Sequence, residues 1–227
     1  MENNKYTLSD KQLKQLLLVS NVQRGVKWTN NDIEESEHEA ITSFRRETSQ
    51  KVLNGTKMTK YSDRNRIILI LSYWVGLRSC EISSLTVGDV IDGEGNVKDT
   101  VILKKHQTKG NKCNSVYFSD FVREELSNYL SKYSHLKERV TERLIQFQKG
   151  GGFSSMTLQH LFKNLYKQVG LDDCSSHSGR RTFITNLSEK GVSVRVIQEL
   201  ARHSDLSTTQ GYIDVSVDKL RNAVNLV

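Results

Sequence analysis

Between Ser176 and Asp214 the chain reads SHSGRRTFITNLSEKGVSVRVIQELARHSDLSTTQGYID, which crowds histidines, arginines and a tyrosine into one stretch. His177 and Arg180 are three residues apart, so on a helix they share a face and can reach one group. Arginine offers a permanently charged, bidentate fork for two phosphate oxygens. Histidine donates or accepts a proton near neutral pH. Taken alone the pair is a weak signal, and a surface helix with incidental base is the favoured reading. His203 and Tyr212 are nine residues apart. In an unbroken helix they would lie about 13.5 Å apart along the axis and face opposite ways. A break at Ser204-Asp205 and Gly211 would let Tyr212 fold back. A tyrosine with a pKa of about 10 is a poor nucleophile, and it becomes useful when cations and a base help remove its proton. The commoner role of such a residue is a half-buried aromatic.

These groups need elements to position them. Ser9 and Asp10 open an amphipathic helix carrying Leu13, Leu16 and Leu17 on one face. A second helix is expected from Asn31 to about Leu53, with an acidic start that suits the helix dipole and a stop at Asn54-Gly55. His38 among Glu35, Glu37 and Glu39 reads as a solvated acidic face, because adjacent helical residues point apart. Asp63 caps a core helix, DRNRIILILSYWV, which Gly76 ends. A short helix spans Arg78 to Leu85. The pattern then alternates around Asp92-Gly93, Gly95-Asn96 and Lys109-Gly110-Asn111, which predicts three short antiparallel strands near 87–91, 98–105 and 113–118. The DGEGN turn lacks the Gly at position six and the Glu at position twelve that a calcium loop needs. Ser119 caps a helix to about Tyr133, and a mixed connection follows to Gly150-Gly151-Gly152. That run lacks the GK[ST] of a phosphate loop. Helices are expected over 155–169, 178–190, 193–201 and from Ser216 to the end. The fold class is mainly α with a small three-stranded antiparallel sheet (α+β), in one domain over 1–227.

With 227 residues the chain can bury a sizeable core. No apolar run nears the roughly 18 residues of a membrane span, and the polar start MENNKYTLSD lacks the pattern of a signal peptide. A cytoplasmic protein with no membrane partner is expected. Cys80, Cys113 and Cys174 are odd in number and include no CxxC, which argues for reduced thiols over a zinc ribbon or disulfide framework. The net charge of +7 favours a polyanionic partner. Acid gathers in DIEESEHE (32–39). Base gathers in KKHQTKGNK (104–112) and at Arg180, Arg181, Arg195 and Arg202.

The ordered set GLRSCEI (76–82), TKGNK (108–112), HSGRR (177–181) and ARHSDLSTTQGY (201–212) resembles the tyrosine recombinases, or phage integrases. Four motifs in the family's order and spacing make a specific match over roughly 60–227. YTLSDKQLKQLL is similar to the start of that family's catalytic domain. The resemblance implies a catalytic set of Arg78, Lys109, His177, Arg180, His203 and Tyr212, with Glu81 as structural support for Arg78. Lys109 would enter the minor groove and protonate the leaving oxygen, and Tyr212 would be the nucleophile. Lys104, Lys105, Lys112, Arg181 and Arg202 are expected to contact the DNA backbone. No cofactor, metal or ATP is implied, since two arginines neutralise the charge a metal would. The implied partners are double-stranded DNA, three further copies in a tetrameric synapse, and an accessory DNA-bending protein or partner recombinase. The implied location is the nucleoid.

Three departures accompany the resemblance. Gly179 and Arg181 stand where the family usually has Leu and His, and Arg202 stands where it usually has Gly. Only some 60 residues precede the GLR helix, and residues 21–60 read as a helical insertion or reduced DNA clamp. Three alternatives remain open from sequence: a DNA-binding protein of this fold that does not react alone, a type IB topoisomerase-like enzyme, and a helical protein–protein module.

Overall fold

The computed structural model describes residues 47, 49–108, 110–147, 150–213, 220, 221, 224 and 225. The chain divides into two compact units, Lys51–Asp214 and a smaller one of Met1–Gln50 with Val215–Val227. In the smaller unit Leu220 and Val224 are exposed. The expected helix at 9–20, most of the helix at 31–53, His38 and its acidic neighbours, and most of the C-terminal helix lie outside the described residues.

The larger unit begins with helical residues 51–56. Asn54-Gly55 does not stop this helix. Gly55 serves a close approach instead: a Cβ there would overlap the Val169 side chain. Helix α1 (Ser62–Tyr73) follows. Ile67, Ile68, Leu69, Ile70 and Leu71 are all buried, as their unbroken apolar run requires. Asp63 lies inside its first turn and makes no cap. Its carboxylate instead accepts from Tyr133 Oη at 3.2 Å and pairs with Lys132 Nζ at 2.6 Å. Gly76, at φ +67°, turns the chain out of α1.

Helix α2 (Ser79–Ser84) has Arg78 at its N-cap. The expected first strand is a single helical turn, α3 (Val87–Val90). Val87, Val90 and Ile91 are its buried apolar residues. That spacing of three and four is helical and would not serve a strand. Thr86 and Asp89 close the turn, with the Thr86 N–H donating to Asp89 Oδ2 at 2.9 Å. Ile91 and Val97 form only an isolated bridge. The sheet therefore has two strands among the described residues, β1 (Thr100–Leu103) and β2 (Asn114–Tyr117). They pair antiparallel with Val101 opposite Val116 and Leu103 opposite Asn114. Val101, Leu103 and Val116 point into the core, while Ile102 and Tyr117 are exposed.

Four longer helices and one short one complete the unit. Helix α4 (Asp120–Lys132) starts where Ser119 accepts from the Val122 N–H, as expected. Helix α5 (Ser155–Gln168) is capped by Ser154. Helices α6 (Ser178–Glu189), α7 (Val194–Ala201) and α8 (Leu206–Gln210) carry the motif-rich stretch. Two apolar clusters hold these elements. The larger joins α1 to α5 and the sheet. The smaller is Ile184, Ile197 and Ala201, covered by Phe183, Leu187, Val192, Tyr212 and Ile213. Among the described residues no helix is long and apolar enough to cross a membrane.

Candidate active site

Arg78 and Arg180 converge because two glycines bring their elements together. A Cβ on Gly179 would meet Ser72 Oγ and Tyr73 Cδ2, the latter at 2.9 Å, so α6 lies directly against α1. A Cβ on Gly76 would overlap the Phe183 ring. Arg78 then leads α2 with its guanidinium steered by Glu81. Its backbone N–H donates to Glu81 Oε2 at 2.8 Å and its NH1 donates to Oε1 at 3.0 Å. Its NH2 donates to the Arg202 carbonyl at 3.4 Å. Arg180, in the first turn of α6, is buried. It donates to the Gly76 carbonyl at 2.5 Å and also to the Ala201 carbonyl. Both guanidiniums thus reach the C-terminal end of α7, Arg78 at the Arg202 carbonyl and Arg180 at the Ala201 carbonyl.

The end of α7 supplies the next group. Ser193 caps the helix, and Arg202 ends it in the left-handed conformation at φ 55°, ψ 45°. A side chain in that region costs about 1–2 kcal/mol where glycine costs none. The break falls there, one or two residues before Ser204-Asp205. Gln198 grips the next residue from both sides: its carbonyl accepts the His203 N–H and its Nε2 donates to the His203 carbonyl, each at 3.1 Å. Asp205 then caps α8 by accepting the Ser207 N–H at 2.9 Å. Buried Thr209 presents its Oγ1 2.9 Å from His203 Nδ1. After α8 the Tyr212 N–H donates to the Thr209 carbonyl at 3.0 Å. Tyr212 so returns to His203, with ring centroids 6.0 Å apart and planes 24° apart. It is also a half-buried aromatic packed on the smaller apolar cluster.

Charge is concentrated at this junction. Arg78, Arg180 and Arg202 surround one carboxylate, Glu81. Burial pushes the Glu81 carboxyl up, but Arg202, the Arg78 N–H, Arg78 and Arg180 outweigh it and hold the group below its ordinary range. Burial, then repulsion from Arg202 and Arg78, brings Arg180 down to about 9, against the attraction of Glu81 and Tyr212. Burial and the same three guanidiniums bring His203 down to about 4. His203 is therefore neutral near pH 7 and can hydrogen-bond without adding positive charge.

Arg202 departs from its expected role. It is not an outward backbone contact: its side chain is 3 % exposed and pairs with Glu81 Oε2 at 2.9 Å. The left-handed turn after α7 aims the side chain inward, under Arg78. Glu81 is completely buried and holds two arginines. His177, at the N-cap of α6, is exposed one turn ahead of Arg180. Lys109 lies outside the described residues. Lys105, Lys112 and Arg181 are exposed. Lys104 is exposed and pairs with Asp89 Oδ1 at 2.9 Å. Gln107 is buried at the root of the hairpin and donates to Asp89 Oδ2 at 2.7 Å and to the Ser84 carbonyl at 3.0 Å. These bonds tie the lysine-bearing turn to the end of α2. Sequence reasoning assigned nothing to Thr209 or Gln198. Thr209 lies inside the ARHSDLSTTQGY motif, but neither residue type announces a bond to a histidine.

Among the described residues no group of three or more His, Cys, Asp or Glu side chains could hold a metal ion. The arrangement is instead a paired guanidinium fork with a neutral histidine and a tyrosine at its edge. That set can bind a phosphate diester and present an oxygen nucleophile to it.

The sequence matches the Phage integrase family over residues 33–219. Tyrosine recombinase XerD of Corynebacterium glutamicum is 33 % identical over 160 residues, which cover 70 % of this chain and 50 % of that protein. Tyrosine recombinase XerA of Thermococcus onnurineus is 34 % identical over 184 residues, covering 80 % and 61 % respectively. The chain spans about half to three-fifths of the length of these relatives. The fold is similar to that of a XerA recombinase crystal structure, with a TM-score of 0.60 at 19 % identity over 79 % of this chain and 61 % of that one. It is similar also to the Tn1549 transposon integrase in complex with transposon right-end DNA, with a TM-score of 0.60 at 15 % identity over 100 % of this chain and 87 % of that one. The motifs, the fold and the sequence matches agree, and the chain belongs to the phage integrase family, the tyrosine recombinases.

Proposed function

We propose that the chain is a site-specific DNA recombinase that cuts and rejoins strands through a covalent 3′-phosphotyrosine. The observation that carries this reading is the convergence of Arg78, Arg180, His203 and Tyr212, contributed by four segments of the chain. Arg78 and Arg180 clamp the two non-bridging oxygens of the scissile phosphate. They neutralise charge that grows as the phosphorus becomes five-coordinate. The Tyr212 oxygen attacks phosphorus, and the bond from phosphorus to the 5′ oxygen breaks. Lys109 gives its proton to that oxygen, leaving a free 5′-hydroxyl. His203, neutral and backed by Thr209, hydrogen-bonds to the phosphate or to the phenol. His177 takes up the proton that Tyr212 gives up as its oxygen bonds to phosphorus. The phosphotyrosine conserves the energy of the broken bond, so a second 5′-hydroxyl can displace Tyr212 without ATP or a metal ion.

Double-stranded DNA is the substrate. Lys104, Lys105, Lys112 and Arg181 supply contacts to phosphates, which position the duplex without reading sequence. The other partners in this reading are three further copies in a synapse and an accessory or partner recombinase, acting at the nucleoid. The exposed Leu220 and Val224 belong to the helix expected from Ser216, which in this reading docks on a neighbouring copy.

The test is to incubate the protein with nicked genomic fragments, denature, and sequence the DNA that stays attached. Enrichment of one site, with no attachment by Tyr212→Phe, is the expected result. Tight, salt-sensitive binding with no attached DNA would favour a non-catalytic DNA-binding protein. Relaxation of supercoiled plasmid at random sites would favour a topoisomerase.

A further inference from the structure

We propose that Arg202 is a positioning residue for the phosphate clamp: it takes up the charge of Glu81, so that Glu81 can orient Arg78 without neutralising it. This rests on the reading of Arg78 and Arg180 as a phosphate clamp. Glu81 is fully buried and lies against Arg78 through Oε1 at 3.0 Å. A lone buried carboxylate at that distance would cancel the charge Arg78 needs for a phosphate. Glu81 does not face Arg78 alone. Its Oε2 receives the Arg78 backbone N–H at 2.8 Å and Arg202 NH2 at 2.9 Å. Two guanidiniums therefore share one carboxylate, and a full positive charge is left over for an incoming anion.

Arg202 also braces the loops on which the clamp rests. Its NH2 donates to the Gly76 carbonyl at 3.0 Å, the same oxygen that accepts Arg180 NH1. Its NH1 donates to the Leu200 carbonyl at 2.8 Å, and its own carbonyl accepts Arg78 NH2 at 3.4 Å. One side chain thus touches Glu81, the loop before Arg78, and the helix end before His203. The backbone there is left-handed, which glycine would adopt freely. The chain carries a buried arginine at a position whose backbone favours having no side chain.

The experiment titrates the full chain with inorganic phosphate at low ionic strength. Binding is followed by the guanidinium NMR signals of Arg78 and Arg180, assigned with Arg78→Lys and Arg180→Lys. Four proteins are compared: wild type, Arg202→Gly, Glu81→Gln and the double variant. Arg202→Gly is expected to bind phosphate about tenfold more weakly, a difference of about 1.4 kcal/mol. Glu81→Gln should raise binding more in the Arg202→Gly background, where its carboxylate faces Arg78 alone, than in wild type. That non-additivity is what a shared carboxylate requires. If Glu81→Gln changes affinity by the same factor in both backgrounds, Arg202 acts only by its charge at a distance, and the proposal is overturned. If wild type shows no phosphate-dependent shift of Arg78 or Arg180, the clamp reading fails and takes this inference with it. Should Arg202→Gly not fold, Arg202→Gln replaces it, removing the charge opposite Glu81 while filling much of the same space; the same cycle decides.

Discussion

His203 sits beside three guanidiniums, and burial together with their repulsion determines where its proton goes. In the unfolded chain its pKa is near the ordinary 6.5, whereas folding lowers it to about 4. The unfolded state therefore takes up the proton first. The stability His203 contributes is whole above about pH 6.5 and is lost as pH falls towards 4. Denaturant midpoints at pH 7 and pH 5 should fall further apart in wild type than in His203→Gln, and equal differences would mean that folding does not lower the pKa of this ring. Arg180 makes a second case at this scale. Lysine keeps a charge but loses the fork that spans two oxygens. Arg180→Lys should slow formation of the covalent DNA adduct by about 100-fold or more, the usual loss on removing one donor from such a site. Quench-flow or gel measurement of the adduct checks this, with the DNA affinity expected to change much less.

Helix contacts decide whether these residues meet at all. Gly76 combines a positive φ with the Phe183 ring standing where a Cβ would go. Gly76→Ala should therefore lose about 2–4 kcal/mol, from backbone strain together with overpacking. A chemical-denaturation curve gives the number directly. Asp205 is the cap of a helix of only five residues, and that helix carries Thr209 to His203. Asp205→Ala should lower stability slightly through loss of this cap. Its adduct formation should slow more than that small loss of stability would suggest, because Tyr212 follows the same turn. The short turn at 87–90 belongs here as well. Val87, Val90 and Ile91 carry helical spacing in plain view, yet the nearby turn residues favour strands by composition. What settles the matter is Asp89, which accepts from Thr86, Lys104 and Gln107 at once. Burial pushes its carboxyl up, but those bonds outweigh it and bring the group down to about 2.

At the scale of the whole molecule, the net charge of +7 predicts DNA affinity that falls steeply with salt. Replacing Lys105 and Lys112 with alanine should lower the slope of log affinity against log salt by about 0.9 for each phosphate that is no longer neutralised. Fluorescence anisotropy on the trapped site, at several salt concentrations, measures this. An unchanged slope would place those exposed lysines away from the DNA.

The family, the helical class and the order of the motifs were legible in the chain because they are local patterns: GLRSCEI, HSGRR and ARHSDLSTTQGY each need only neighbouring residues to be recognised. So were the helices led by Ser119, Ser154 and Ser193, whose caps bond within one turn. Arg202 was not. On the chain it is one more basic residue in a basic stretch, well placed for a phosphate backbone. Only folding reveals that the turn at the end of α7 is left-handed, and that a carboxylate 121 residues earlier waits beneath it. Gly179 and Gly55 likewise read as a family departure and a helix stop, and are in fact points of close approach to Ser72 and Val169. Sequence determines which groups are present and which local turns they favour. Burial and charge pairing depend on distances between remote segments, and only the tertiary structure sets those distances.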